Sequence, residues 1–221
     1  MHFEILVEDQ SGKKALEILV PKIINNDHTF KIYAYKGIGR IPKNLRGNID
    51  ASKRILLDRL PNLLKGYGKT FSDYPAAVIL ICDLDHKCLV EFKKELNLIL
   101  NSCNPKPETR FCFAVEEGEA WFFGDIPAIK KAYPKARDAV LNTYVNDSIC
   151  GTWEKLADAV FPGGAASLST KGGQAIGAEK SLWAEKITPH MDVKNNASRS
   201  FNYFQEKISE LVEFEAGRGV E

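Results

Sequence analysis

Five acidic residues, Glu8, Asp83, Asp85, Glu117 and Glu119, stand directly after short apolar runs in an otherwise ordinary sequence. Glu8 closes residues 2–7 (HFEILV), Asp83 and Asp85 close residues 76–82 (AAVILIC), and Glu117 and Glu119 follow residues 109–115 (TRFCFAV). If the three runs are parallel strands, their carboxyl ends share one edge and the five carboxylates converge there, where open α/β sheets bind ligands. So much negative charge in one place raises carboxyl pKa values and costs stability unless cations offset it. Mg²⁺ or Mn²⁺ is the economical cation, because it takes oxygen ligands and retains waters and substrate phosphate oxygens. Two such ions about 3.5–4 Å apart activate a water and stabilise the leaving oxygen in phosphodiester cleavage.

The elements that must position these acids follow from periodicity. The runs at 2–7, 76–82 and 109–115, with an alternating run at 30–35 (FKIYAY), predict four strands. Between them the spacing predicts helices over 12–24, capped by Ser11, over 50–65 and over 86–100. Strands alternating with helices imply right-handed crossovers. The expected fold class is therefore α/β, a Rossmann-like, mainly parallel four-stranded sheet flanked by helices, over residues 1–125. Residues 126–221 are expected as a helical extension packed on it. Its helices are expected near 126–131, 135–142, 152–159, 178–187 and 198–213, and a Gly-, Ser- and Ala-rich loop at 162–177 interrupts them.

Each acidic cluster has a simpler reading when taken alone. A DxD after an apolar run also arises in surface turns, and Glu8, Glu117 and Glu119 also suit the first turn of a helix. Their shared topological position is what points to a site. A dehalogenase-like phosphotransferase places DxD after its first strand, whereas here it follows the third. A receiver domain is imitated by Glu8-Asp9 and Asp83, but it has no counterpart of Glu117/Glu119 or of the helical tail. The absence of GxxxxGK[ST] excludes a P-loop nucleotidase, and Gly37-Ile38-Gly39 lacks the third glycine of a dinucleotide fingerprint.

The net charge of +1 hides a basic stretch: residues 31–69 carry ten Lys/Arg against Asp50 and Asp58. A basic segment in an otherwise acidic chain suits a polyanion such as nucleic acid. Arg40, Lys43 and Arg46, in the loop after the second strand, are the expected backbone contacts, and Lys180 is a further phosphate contact from a helix end. Trp121, Phe122 and Phe123 read as core, with base stacking as the alternative. The five cysteines form no CxxC pair, and His86 and His190 show no zinc spacing, so reduced thiols and a cytoplasmic location are expected. No apolar run approaches membrane-spanning length and the first residues do not read as a signal peptide.

Glu after the first strand with DxD after the third resembles the TOPRIM fold of topoisomerases, primases and OLD-type nucleases. More specifically, ILVEDQSGKKALEILVPKI, RLPNLLKGYGKTF, VILICDLD, AVEEGEAWFFGD and SRSFNYF together resemble the domain-of-unknown-function family 4276, a TOPRIM-like bacterial group, over nearly the whole chain. The resemblance implies a Mg²⁺-dependent nuclease. Glu8 is then a metal ligand and general acid/base, Asp83 and Asp85 the metal-binding pair, and Glu117 and Glu119 the acids completing a second metal site. It also implies nucleic acid as partner, a neighbouring ATPase, and a setting in phage defence or mobile elements. The sequence departs from the family's Val-Glu-Gly: Asp9 stands in place of the glycine, and Gly12 stands where a further acid is expected.

Overall fold

The computed structural model describes residues 1–42, 53–148 and 151–218. Four strands, β1 (His2–Val7), β2 (Thr29–Ala34), β3 (Ala76–Asp83) and β4 (Thr109–Ala114), form one sheet in the order β2-β1-β3-β4. All three pairings are parallel. The two central strands, β1 and β3, are the most continuously apolar and are buried on both faces. Between them the winding reverses: β2 lies to one side of β1, while β3 and β4 lie to the other. Such a reversal opens a crevice beyond the strand ends, and Glu8 and Asp83 stand at it.

Side chains alternate between two cores, as the pleat requires. Phe3, Ile5, Val7, Ile79, Ile81, Cys112 and Ala114 face one way; Leu6, Val78, Leu80, Cys82, Phe111 and Phe113 face the other. The second core is closed by α2 (Leu56–Thr70) and α3 (Leu89–Asn101). The first is closed by α1 (Gln10–Ile23) together with the whole helical extension. That extension, reached through α4 (Glu119–Phe123), comprises α5 (Ile126–Ala132), α6 (Asp138–Leu141), α7 (Thr152–Val160), α8 (Gly164–Ser169), α9 (Gly173–Ile187) and α10 (Arg199–Arg218). Phe201, Phe204, Ile208 and Leu211 of α10 share a core with Phe3 and Ile5, so the extension is one of the two layers on the sheet.

Several boundaries differ from expectation for identifiable reasons. Asp9, not Ser11, caps α1: its carboxylate accepts the Gly12 N–H at 2.7 Å and the Ser11 hydroxyl at 2.7 Å. Helix α2 runs later than expected because the stripe Leu56, Leu57, Leu60 and Leu64 sets its buried face, with Pro61 inside the helix. Helix α3 starts at Leu89 because Asp85 adopts a left-handed conformation (φ 48°), which delays the helix. The expected loop at 162–177 contains α8 and the start of α9. Positive-φ glycines (Gly163, Gly164, Gly172) make the breaks, while packing overrides the poor helix propensity of the glycines within. No helix among the described residues is long and apolar enough to cross a membrane.

Candidate active site

The crevice at the β1/β3 reversal is a narrow cavity of about 50 Å³ lined by Glu8, Asp9, Asp83, Glu119 and Lys180, with apolar walls including Val7, Ala15, Leu16, Ile81 and Phe122. Glu8 accepts the Asp83 N–H at 3.4 Å, a side-chain contact joining the two strand ends. Burial in this apolar wall pushes the Glu8 carboxyl above its usual range, with Asp85 and Asp9 adding to the rise and the Asp83 N–H opposing it. Burial and the nearby Glu8 push Asp83 well up in the same way. Among the described residues, no Lys, Arg or His forms an ion pair with either Glu8 or Asp83.

Glu117 and Glu119 reach the same edge from the β4–α4 turn, but they have a cation. The Lys180 ammonium, 14% exposed, lies 3.1 Å from Glu119 and 3.4 Å from Glu117. Burial works against its charge, yet Glu119, Glu117 and Asp83 more than offset that and hold Lys180 protonated. Burial raises Glu119, with Lys180 opposing. Glu117, also raised by burial against Lys180, is pushed up to about 7. The ammonium meets Glu119 Oε2 in ion-pair distance but not in hydrogen-bonding geometry, so that buried oxygen lacks a donor.

Asp85 takes a different direction from Asp83. Its left-handed backbone sends it outward; it is 47% exposed and paired with Lys87 at 3.1 Å. It lines a shallow recess with His86, Glu117, Trp153 and Glu154. The five acids therefore share one edge but divide into three settings. Among the described residues no three Asp, Glu, His or Cys side chains stand together as a preformed metal-holding group. The Glu8/Asp83 pair nevertheless fits a Mg²⁺-like ion: its donors are hard oxygens without a paired cation, and Mg²⁺ needs only one or two carboxylates beside waters and phosphate.

Glu116, which the sequence did not single out, holds this edge in place. It accepts the Gly151 N–H at 2.6 Å, the Thr152 N–H at 3.0 Å and the Thr152 hydroxyl, while Glu117 accepts the Trp153 N–H at 3.2 Å. Two adjacent carboxylates thus satisfy the free N–H groups at the start of α7. The signal available in the sequence was the run Glu-Glu-Gly-Glu itself, with more acids than the site needs.

Lys180 sits two turns inside α9, not at its end as expected, because the helix begins at Gly173. Arg40 is exposed on the loop after β2. That loop is tied to the site: Gly37 donates to the Glu8 carbonyl (3.1 Å), Lys36 to the Arg54 carbonyl (2.9 Å), and Arg40 N–H to Asp58 (3.1 Å). Lys43 and Arg46 lie outside the described residues. Trp121, Phe122 and Phe123 are core residues, as read from the sequence. Trp121 stacks on Phe204, meets Phe201 edge-on, and donates from its indole to Ser200 at 3.1 Å. Ser198 and Ser200 hydroxyls both donate to Asp147, at 2.8 and 2.7 Å. A Cβ on Gly124 would come within 1.8 Å of the Asn196 amide oxygen, and Asn196 in turn donates to the Trp121 carbonyl. The Glu-Ala-Trp, Gly-Asp and Ser-x-Ser-Phe segments are therefore parts of one clasp joining α4 to α10.

The family described as Domain of unknown function (DUF4276) has a model that matches residues 7–209. The chain belongs to this family. The DUF4276 match spans every acid of the edge, Lys180 and both halves of the clasp. No curated protein and no solved structure matches the chain.

Proposed function

We propose that this DUF4276 protein is a TOPRIM-like, Mg²⁺- or Mn²⁺-dependent nuclease that cleaves phosphodiester bonds in DNA or RNA. The observation that carries this reading is the Glu8/Asp83 pair: two half-buried acids lining one crevice at the switch point of a parallel sheet, joined by the Asp83 N–H to Glu8 contact and with no ion-paired cation among the described residues. Glu8 and Asp83 would hold the divalent ion, and Asp85 and Glu117 line the mouth beside it. Bound there, the ion would supply Lewis acidity toward a phosphate oxygen. Burial raises the Glu8 carboxyl above its usual range, the direction that general acid/base work requires. Exposed Lys36, Arg40 and Arg54, on a loop anchored to the Glu8 backbone, would orient the nucleic-acid backbone across the edge. Lys180 would lend its fixed positive charge to the same pocket. A cytoplasmic location and a role in phage defence or mobile elements, beside an ATPase partner, belong to the same reading.

The test is cleavage of single- and double-stranded DNA and RNA by the purified chain with Mg²⁺ or Mn²⁺, against EDTA. Asp83→Asn and Glu8→Gln are expected to lose at least a hundredfold; cleavage unchanged in both variants overturns the assignment. A second reading, a non-catalytic module that binds nucleic acid or an ATPase partner, is favoured by one observation. Two of the five acids already have Lys180 as their counter-ion. That reading predicts salt-sensitive binding weakened by Arg40→Ala, with no turnover in any metal.

A further inference from the structure

The cations of the acidic edge are unevenly supplied, and this bears on how many metal ions it takes. Glu117 and Glu119, the acids that a two-ion centre would use for its second ion, enclose the Lys180 ammonium at 3.4 and 3.1 Å. The ammonium is 14% exposed and Glu119 4% exposed, so this is an internal contact and not a transient surface pair. It is also held from a distance. Helix α9 packs along α1, the Lys14–Glu185 pair (2.5 Å) joins the two, and Lys22 of α1 donates to the carbonyls of Thr188, Pro189 and Met191 at 2.8–3.0 Å. The Lys180 stem therefore starts from a helix tied to α1 on its C-terminal side. A second divalent ion at Glu117 and Glu119 would have to expel this ammonium from a pocket lined mainly by acids and apolar side chains. At Glu8 and Asp83 nothing needs to be expelled.

We propose that Lys180 is a built-in substitute for the second metal ion, so that the centre takes a single divalent ion at Glu8 and Asp83. The inference rests on the metal-dependent reading above and specifies its stoichiometry. Lys180 is thereby a positioning and charge-balancing residue, and the ammonium keeps Glu117 and Glu119 together whether or not the other half of the site is filled.

Mn²⁺ titration of the full chain, followed by calorimetry and by the EPR signal of free Mn²⁺, counts the ions directly without any substrate. The wild-type chain is expected to bind one ion, Asp83→Asn to weaken that ion at least tenfold, and Lys180→Met to gain a second. Lys180→Gln serves in parallel if the methionine variant fails to fold, and circular dichroism reports which variant is native. Two ions on the wild-type chain, or one on a folded Lys180 variant, overturn the substitution while leaving the metal-dependent reading standing. No ion on any variant overturns both.

Discussion

The two halves of the acidic edge are built from the same residue types and behave as opposites. On the β4 side, buried Glu119 and half-buried Glu117 have Lys180 between them, and their charge is compensated within the chain. On the β1/β3 side, Glu8 accepts the Asp83 N–H with no ion-paired cation at either carboxylate among the described residues; burial raises both carboxyls, and Glu8 raises Asp83 further. A count of carboxylates therefore says little about what a cluster binds. What matters is which of them the fold has already neutralised, because only the remainder has electrostatic energy to release to a ligand.

The largest expected effect comes from removing the compensating charge. Lys180→Met leaves the buried Glu119 and the half-buried Glu117 without their cation and should destabilise the metal-free chain by about 3 kcal/mol, the lower end of the cost of breaking a buried pair. Urea denaturation measures this; a loss below about 1 kcal/mol would mean the two halves do not differ as described.

Next in size is the pH dependence of the metal-free chain. The Glu117 carboxyl titrates at about 7 in the folded state against 4.5 unfolded, so the folded state holds its proton more tightly. Stability from this group is complete below about pH 4.5 and is lost as pH rises through about 7. The displacement corresponds to roughly 3 kcal/mol at most, less in practice because the site is partly hydrated. Melting temperature should fall between pH 5 and pH 7.5, and Glu117→Gln should flatten that slope; an unchanged slope would place the titration elsewhere.

On the uncompensated side the sign reverses. Asp83→Asn removes a charge that burial and Glu8 disfavour more than Lys180, outside ion-pair distance, favours it, and should stabilise the metal-free chain by about 1 kcal/mol while weakening its ion binding. A destabilisation of similar size would show Asp83 to be structural. Smallest is Lys87→Ala, which removes an exposed partner of Asp85 and should change stability by less than about 1 kcal/mol. Parallel thermal melts of Lys87→Ala and Lys180→Met compare a surface pair with an internal one at the same edge.

Much of this arrangement was legible in the sequence. The apolar runs ending in Glu8 and Asp83 read as buried strands of a mainly parallel sheet, and the placing of the acids at their ends followed directly. Trp121, Phe122 and Phe123 read correctly as core because aromatic side chains beside small residues suit packing better than a wet surface. The partition of the acids was not legible. It depends on Asp85 turning outward through a left-handed backbone and on Lys180 facing inward from a helix whose first turns look like a glycine-rich loop. Glycine composition reports propensity, whereas the packing of α9 on α1 decided the outcome. The Ser-x-Ser-Phe segment likewise announced a cap but not its partner, since Asp147 lies 51 residues from Ser198 in sequence.

Lys22 has a consequence of its own. By gripping three carbonyl oxygens just past the end of α9, it fixes where that helix stops, and α1, which carries Lys22, begins immediately after Glu8. The pair of helices works as a caliper: one jaw is set at Glu8, the other is the Lys180 ammonium, and the eight helical steps from Lys180 to Thr188 are the graduated arm, about 12 Å long. One residue inserted into that arm would turn Lys180 by about 100° and carry its charge away from Glu117 and Glu119. The number of residues in this arm, more than their identity, is what the site has to keep constant.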